Sequence, residues 1–257
     1  LAGIRPAPTI TGGNMKVIYE PSGKAQEYSE LAANLYQGCS HGCLYCYAPK
    51  VVHQKKDEFH TNIKPRKDVL KWLDRQAPHY KGKEVFLCFT CDPYGPEEME
   101  HCTTRDAIKL LYGHSVGVNI LTKGGDRAER DLHILAERPE LSRLGATLTF
   151  DNIQDSLKWE PMAAIPDSRI RMLYRAHNMG IKTWASMEPV IDPEQTLKLI
   201  RQTHQFVDSY KVGRWNHDAR ANDIDWRDFL RRVVDLLEEK GCNYYIKRDL
   251  SVYGGKE

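Results

Sequence analysis

Six times beyond residue 30, a short apolar or β-branched run is followed, after a loop, by a stretch whose apolar residues recur at helical spacing. The runs are Leu31–Tyr36, Glu84–Phe89, Val116–Leu121, Gly145–Phe150, Ile181–Met187 and Asp208–Gly213. Strand then helix, repeated in this order, predicts an α/β fold with a parallel sheet and its helices outside. Six such units make an incomplete barrel or a strongly curved open sheet. A last apolar run, Asn243–Ile246, is expected to add a strand at one edge. The predicted helices carry Val69, Leu70 and Leu73 after Pro65, then Ala107, Ile108 and Leu111 behind an N-cap at Thr103 or Thr104. Further on come Leu132 and Leu135, then Ile170, Leu173 and Ala176, then Leu197 and Ile200, and finally Phe229, Leu230, Val233 and Leu237. Gly180 and Gly241 serve as C-terminal stops. Residues 1–30 lack helical periodicity, and Val17–Tyr19 with Tyr28 suggests a short extended segment against the barrel. No repeat or long linker divides the chain, so 1–257 is expected to be a single domain, with 1–30 as an extension and 31–250 as the barrel.

The chain has 257 residues and a formal net charge of +2, a balance that neither requires nor excludes an anionic partner. No run approaches the roughly 18 apolar residues that cross a bilayer, and no signal-peptide core stands near Leu1. A start on Leu rather than Met suggests that residues upstream are missing or were processed. Seven cysteines are too few for a disulfide scaffold at this length. They read as thiols of a reducing compartment, where clustered Cys bind metal, and the expected location is cytoplasmic.

The most chemically specific feature is Cys39-Ser40-His41-Gly42-Cys43-Leu44-Tyr45-Cys46, a C-x3-C-x2-C run directly after the first predicted strand. Three thiolates so close can hold three irons of a cubane cluster and leave the fourth iron open. An open iron can bind the amino and carboxylate groups of S-adenosylmethionine (SAM) and pass an electron to its sulfonium, releasing methionine and a 5′-deoxyadenosyl radical. Gly38 and Gly42 let the chain fold tightly around such a cluster. The alternatives are a structural zinc held by the three Cys with His41, or incidental thiols.

At this point the chain resembles the radical SAM superfamily, and within it the relatives of spore photoproduct lyase. The likeness runs through Asn34-Leu35-Tyr36-Gln37-Gly38-Cys39-Ser40-His41-Gly42-Cys43 and Cys46-Tyr47-Ala48. It continues in Thr90-Cys91-Asp92-Pro93-Tyr94-Gly95-Pro96-Glu97-Glu98, Leu121-Thr122-Lys123, Glu188-Pro189-Val190 and Lys211-Val212-Gly213. The resemblance implies a partial (β/α)6 barrel holding a [4Fe–4S] cluster on Cys39, Cys43 and Cys46, with SAM across the C-terminal rim. It implies Tyr45 near adenine, Thr90 and Asp92 near the methionine amino group, and Lys123 facing the carboxylate. Thr149 and Ser186 would meet the ribose or carboxylate, Glu188 the carboxyl end of SAM, and Val212 and Gly213 the adenine. Hydrogen return by a thiol, a feature of the photoproduct lyases, points to Cys91 as the catalytic residue, although Phe89 falls close to the donor position. By strand alternation, Cys88 and Cys91 are expected on opposite faces, which argues against a second cluster on Cys88, Cys91 and Cys102. Cys242 is expected to be structural.

Two basic stretches bear on the substrate. One runs from Lys50 to Lys71, and the other holds Arg214, His217 and Arg220 around Trp215. Aromatics among bases suit a nucleic acid or nucleotide. The expected activity is hydrogen abstraction from a nucleobase lesion or nucleotide, with a one-electron donor such as flavodoxin or ferredoxin. The alternatives are modification of a small metabolite or peptide, and a non-catalytic iron–sulfur or zinc protein.

Overall fold

A computed structural model describes residues 15–254. Seven strands, β1 (Ala32–Ala33), β2 (Glu84–Leu87), β3 (Gly117–Thr122), β4 (Ser142–Thr147), β5 (Lys182–Val190), β6 (Ser209–Arg214) and β7 (Asn243–Ile246), form one sheet in sequence order. Every neighbouring pair is parallel. The order is linear, so the sheet stays open between β1 and β7. Six helices make the crossovers: α1 (Val69–Gln76), α2 (Thr103–Gly113), α3 (Leu132–Glu137), α4 (Pro166–Asn178), α5 (Pro193–Thr203) and α6 (Trp226–Glu239). This is the partial (β/α)6 barrel with the expected edge strand. Among the described residues, no helix is long and apolar enough to cross a membrane.

Strand parity sorts the side chains into two environments. Val85, Leu87, Val118, Ile120, Leu144, Ala146, Ala185, Met187, Tyr210 and Val212 join the main core with the helices. The alternate residues line the inner face, where Ala32, Phe86 and Trp184 form a separate apolar cluster with Tyr28, Phe89 and Leu121. Register places Thr147, Ser186 and Lys211 side by side on that inner face.

Several boundaries differ from the sequence expectation, each for a physical reason. The first strand is cut short because Tyr36–Gln37 leaves the main sheet and pairs antiparallel with Lys64–Pro65. Pro65 therefore lies in that ribbon and does not open α1, which begins at Val69 after Asp68 in left-handed conformation. Neither Thr103 nor Thr104 caps α2. Cys102 is the N-cap, and the buried Glu98 carboxylate accepts from the N–H groups of Thr104 at 2.9 Å and Arg105 at 3.3 Å. β2 stops at Leu87, and β4 begins three residues earlier than its apolar run suggested.

The N-terminal segment packs along the first helix and strand and onto the inner face of the sheet. Gln76 accepts from the N–H groups of Val17 at 2.9 Å and Ile18 at 3.0 Å, and Tyr19 bridges Ala32. A 3-10 turn at Gly23–Glu27 then delivers Tyr28 onto the inner face. Residues 1–14 of the expected extension lie outside the described residues.

Candidate active site

The cluster loop starts where the short ribbon ends. Gly38 has φ +75°, and a Cβ there would stand 2.5 Å from the Phe59 carbonyl oxygen, so only glycine fits. Cys39 N–H donates to that carbonyl at 3.1 Å, and Leu44 N–H donates to Trp159 O at 2.8 Å. Burial pushes all three thiols up: Cys39 well above its ordinary value, Cys43 to about 12 and Cys46 upward, while Lys123 opposes the rise at Cys43 and Cys46. Without compensating charge these sulfurs stay protonated, so a cationic iron centre is the kind of group that would stabilise their thiolate form.

His41 is not available as a fourth ligand. Its Nε2 accepts from Arg127 Nη2 at 2.9 Å, and its Nδ1 faces Asp92 Oδ2 at 3.4 Å. Burial holds the ring neutral, down to about 4. Asp92 is engaged at both oxygens. Oδ1 accepts from Tyr94 N–H at 2.8 Å and Thr122 Oγ1 at 2.5 Å, and Oδ2 accepts from Lys123 N–H at 2.8 Å. Burial pushes its carboxyl up, but His41 and these donors outweigh that and leave it below the usual range. The Asp92 carboxylate thus braces the cluster loop against the end of β3.

A second buried group stands behind Tyr45. Its hydroxyl donates to Glu160, which is paired with Arg169 at 2.5 Å. Arg169 also donates to Ala164 O at 2.7 Å and Thr147 O at 3.0 Å. Thr149 Oγ1 lies 3.5 Å from the Tyr45 hydroxyl. Lys123 makes no ion pair among the described residues, and its Nζ stands 5.6 Å from the Tyr45 ring centre. Tyr45 continues an aromatic wall through Trp159 at 6.4 Å to Trp215 at 5.5 Å, with the Arg220 guanidinium 4.7 Å and 4.9 Å from the two indoles.

Lower on the inner face, Tyr28 donates to Glu188 Oε2 at 2.7 Å and lies 3.0 Å from Ser186 Oγ. Lys247, almost fully buried, reaches the same Glu188 oxygen at 2.5 Å. Lys211 donates to the carbonyls of Glu27 at 2.7 Å and Tyr28 at 3.1 Å. A Cβ on Gly213 would come within 2.9 Å of both Glu188 and Lys247, so this glycine makes room for the ion pair. Val212 points the other way, into the helix-side core, and offers the inner face only its backbone.

The loop after β2 departs from strand alternation. Cys88 and Cys91 are not on opposite faces but both pack with the main core, because the strand has ended at Leu87 and the chain turns. Cys91 packs against the main core, whereas Phe89 stacks on Phe86 at 4.2 Å on the inner face. Thr90 is buried, and its Oγ1 has no partner. Asn34, quoted in the sequence only as part of the motif, holds this loop by accepting from the N–H groups of Phe89 at 2.8 Å and Thr90 at 3.0 Å.

Among the described residues, no group of three or more His, Cys, Asp or Glu side chains stands close enough to hold a single metal ion. A cubane spreads its thiolates over separate irons, so its donors need not meet at one point. One buried and two half-buried thiols on a glycine-pinned loop, a neighbouring unpaired lysine and a buried hydroxyl without a partner fit such a cluster with SAM beside it.

The sequence model of the Radical SAM superfamily matches residues 33–207. An uncharacterized protein of Methanocaldococcus jannaschii is 29% identical over 189 residues, 71% of this chain and 69% of that protein. Among solved structures, Streptococcus suis SuiB bound to S-adenosylmethionine matches with a TM-score of 0.64 at 15% identity, covering 87% of this chain and 52% of SuiB. Spore photoproduct lyase complexed with dinucleoside spore photoproduct matches at 0.65 and 14% identity, covering 88% of this chain and 78% of the lyase. The chain spans about half the length of SuiB and of the mycobacterial relatives it matches, 48% in the latter case. These structural likenesses concern the fold.

Proposed function

This chain belongs to the radical SAM superfamily, a family of enzymes that use a [4Fe–4S] cluster and SAM, and from that premise we propose that it abstracts hydrogen from a nucleobase or nucleotide substrate. When bound, the cluster supplies the electron that splits SAM into methionine and a 5′-deoxyadenosyl radical. Cys39, Cys43 and Cys46 would hold its three protein-bound irons. Lys123 would pair with the SAM carboxylate through a charge-assisted hydrogen bond, and the Thr90 hydroxyl would accept from its ammonium. Thr149, Ser186 and Glu188 would orient ribose and carboxylate from the inner face. Tyr45 and the backbone at Val212 and Gly213 would border the adenine, while Asp92 would position Lys123 and the cluster loop. Residues 31–250 would act as one catalytic domain, in a reducing cytoplasmic setting that protects an oxygen-sensitive centre.

The observation that carries the substrate class is the aromatic wall from Tyr45 through Trp159 to Trp215, where the buried Trp215 Nε1 has no partner. Adjoining aromatic rings, tilted and edge-to-face, with an unused donor suit a flat heterocycle. Spore photoproduct lyase, whose structure holds a dinucleoside lesion, supports the same class. Hydrogen return from Cys91 is not part of this reading, since its side chain packs against the main core while Phe89 faces the inner side. The test is anaerobic turnover with uniformly deuterated dinucleotides and, separately, deuterated peptides and metabolites. Deuterium in 5′-deoxyadenosine from the nucleotide pool alone supports the reading. Label from peptides or metabolites alone contradicts it and favours the other substrate classes.

A further inference from the structure

The two basic stretches legible in the sequence part company in three dimensions. Around residues 214–220 the guanidinium groups are engaged within the chain. Arg214 donates to the Tyr253 hydroxyl at 2.9 Å and stacks over Trp226, and Arg220 caps Trp159 and Trp215 while gripping Asp218 at 2.6 Å. From Lys50 to Lys71, seven Lys and Arg face three Asp and Glu, an excess of four positive charges where the whole chain has an excess of two. None of those seven cations is ion-paired among the described residues, and Lys50, Lys55, Lys64 and Lys67 are exposed.

This free charge lies beside the cluster loop. His60 Nδ1 is 2.6 Å from the Cys39 carbonyl oxygen, Lys56 donates to Leu44 O at 3.2 Å, and Lys64–Pro65 pairs with Tyr36–Gln37. Leu44, between Cys43 and Cys46, is 52% exposed, and Met162, whose N–H donates to His41 O at 3.2 Å, is 57% exposed. Apolar side chains bordered by an excess of unpaired positive charge are the anatomy of a protein interface with a partner of opposite sign. A nucleic acid backbone would use the lysines but has no counterpart for Leu44 and Met162, so the apolar centre favours a protein. Whatever sits on Leu44 stands one residue from Cys43 and two from Cys46, on the loop that would carry the cluster.

Resting on the assignment of the cluster to Cys39, Cys43 and Cys46, we infer that this face docks a small acidic one-electron carrier protein of the flavodoxin type. The carrier loses one electron, the cluster gains it, and no atom crosses the contact. Docking here leaves the inner face free for SAM and substrate.

The test compares the native chain with a variant carrying Lys50→Glu, Lys55→Glu, Lys64→Glu and Lys67→Glu, with Met162→Ser as a second, milder variant. Both are reconstituted anaerobically and checked for iron content. Dithionite-driven formation of 5′-deoxyadenosine should stay within about twofold of native, because a small reductant needs no docking face. Electron transfer from flavodoxin hydroquinone, followed by stopped-flow absorbance, should slow by about tenfold or more at low salt and lose most of its salt dependence. Met162→Ser should weaken apparent carrier affinity without changing that salt dependence. An unchanged flavodoxin rate in the fourfold variant overturns the inference. So does loss of labelled-DNA binding with intact electron transfer, which would make nucleic acid the occupant. A native chain that accepts electrons from dithionite but not from flavodoxin overturns it as well. Failure of dithionite to drive SAM cleavage in the native chain would instead strike the cluster assignment on which the docking face rests.

Discussion

The hydroxyl of Tyr28 donates to the carboxylate of Glu188 at 2.7 Å, joining the N-terminal segment to the fifth strand across the inner face of the sheet. The same oxygen of Glu188 receives Lys247. An open parallel sheet exposes the inner face at its base. Here that face is filled by Tyr28, packed tilted or edge-on against Phe86, Phe89 and Trp184, with Lys211 and Lys247 over its ring at 4.8 Å and 4.6 Å. Tyr28→Phe keeps the packing and removes a hydrogen bond to a charged acceptor, so it should lower folding stability by about 1.5–3 kcal/mol. Urea denaturation of the cluster-free protein measures the loss, and an unchanged midpoint would mean that Glu188 is held by Lys247 alone.

Lys211 gives the fold a pH dependence of defined sign. Burial, and then the charge of Lys247, pushes its pKa down from 10.5 to about 8. Between these values the unfolded chain binds more protons than the folded one, so stability rises with pH across about 8 to 10.5. Below that window the charged form is disfavoured in the folded state. Relative to a Lys211→Met variant, the native chain should gain stability across this interval when both are unfolded at a series of pH values.

Arg169 and Glu160 are both buried behind Tyr45, and removing one partner leaves a charge uncompensated. Arg169→Met should therefore cost about 3–5 kcal/mol, as for other buried ion pairs broken from one side. Thermal unfolding of the cluster-free chain checks this, and Arg169→Met combined with Glu160→Gln should recover part of the loss.

Thr90 separates binding from stability. Its hydroxyl is buried without a partner, so Thr90→Val should leave stability nearly unchanged. Loss of a hydrogen bond to a charged ligand group should weaken SAM binding by roughly tenfold to a hundredfold, from about 1.5–3 kcal/mol. Isothermal titration of the reconstituted protein with SAM reads the second effect, and equal affinities would remove Thr90 from the site.

Gly38→Ala tests the cluster loop itself. With φ at +75° and the Phe59 carbonyl oxygen in the way, the loop must shift, at a cost of about 1–3 kcal/mol. Iron and sulfide per chain after reconstitution should fall, while far-UV circular dichroism stays native-like.

The order of strands and helices was legible because each element repeats a simple period, and the edge strand at Asn243–Ile246 follows from the same pattern. Local chemistry misled where a distant group intervened. Thr103 and Thr104 look like caps, but Glu98 reaches the helix start from the preceding turn. Cys88 and Cys91 read as strand neighbours on opposite faces until the strand proves to end at Leu87. Sequence placed Lys123, Thr149, Ser186, Glu188 and Gly213 at strand ends; parity puts Ser186, Glu188 and Gly213 on the inner face, and Lys123 and Thr149 lie just beyond the ends of β3 and β4. Glu160 and Arg169 escaped notice, and Tyr28 was legible only as part of an extended segment, because their partners lie 9 to 160 residues away and carry no motif. A buried Arg or Glu announces itself only once the fold shows what surrounds it.

The central claim is tested most directly by anaerobic reconstitution of the chain, addition of dithionite and SAM, and mass spectrometry for 5′-deoxyadenosine, with Cys43→Ala as control. The account predicts 5′-deoxyadenosine and methionine from the native chain and none from the variant. A native chain that carries its cluster and binds SAM yet yields no 5′-deoxyadenosine would contradict it.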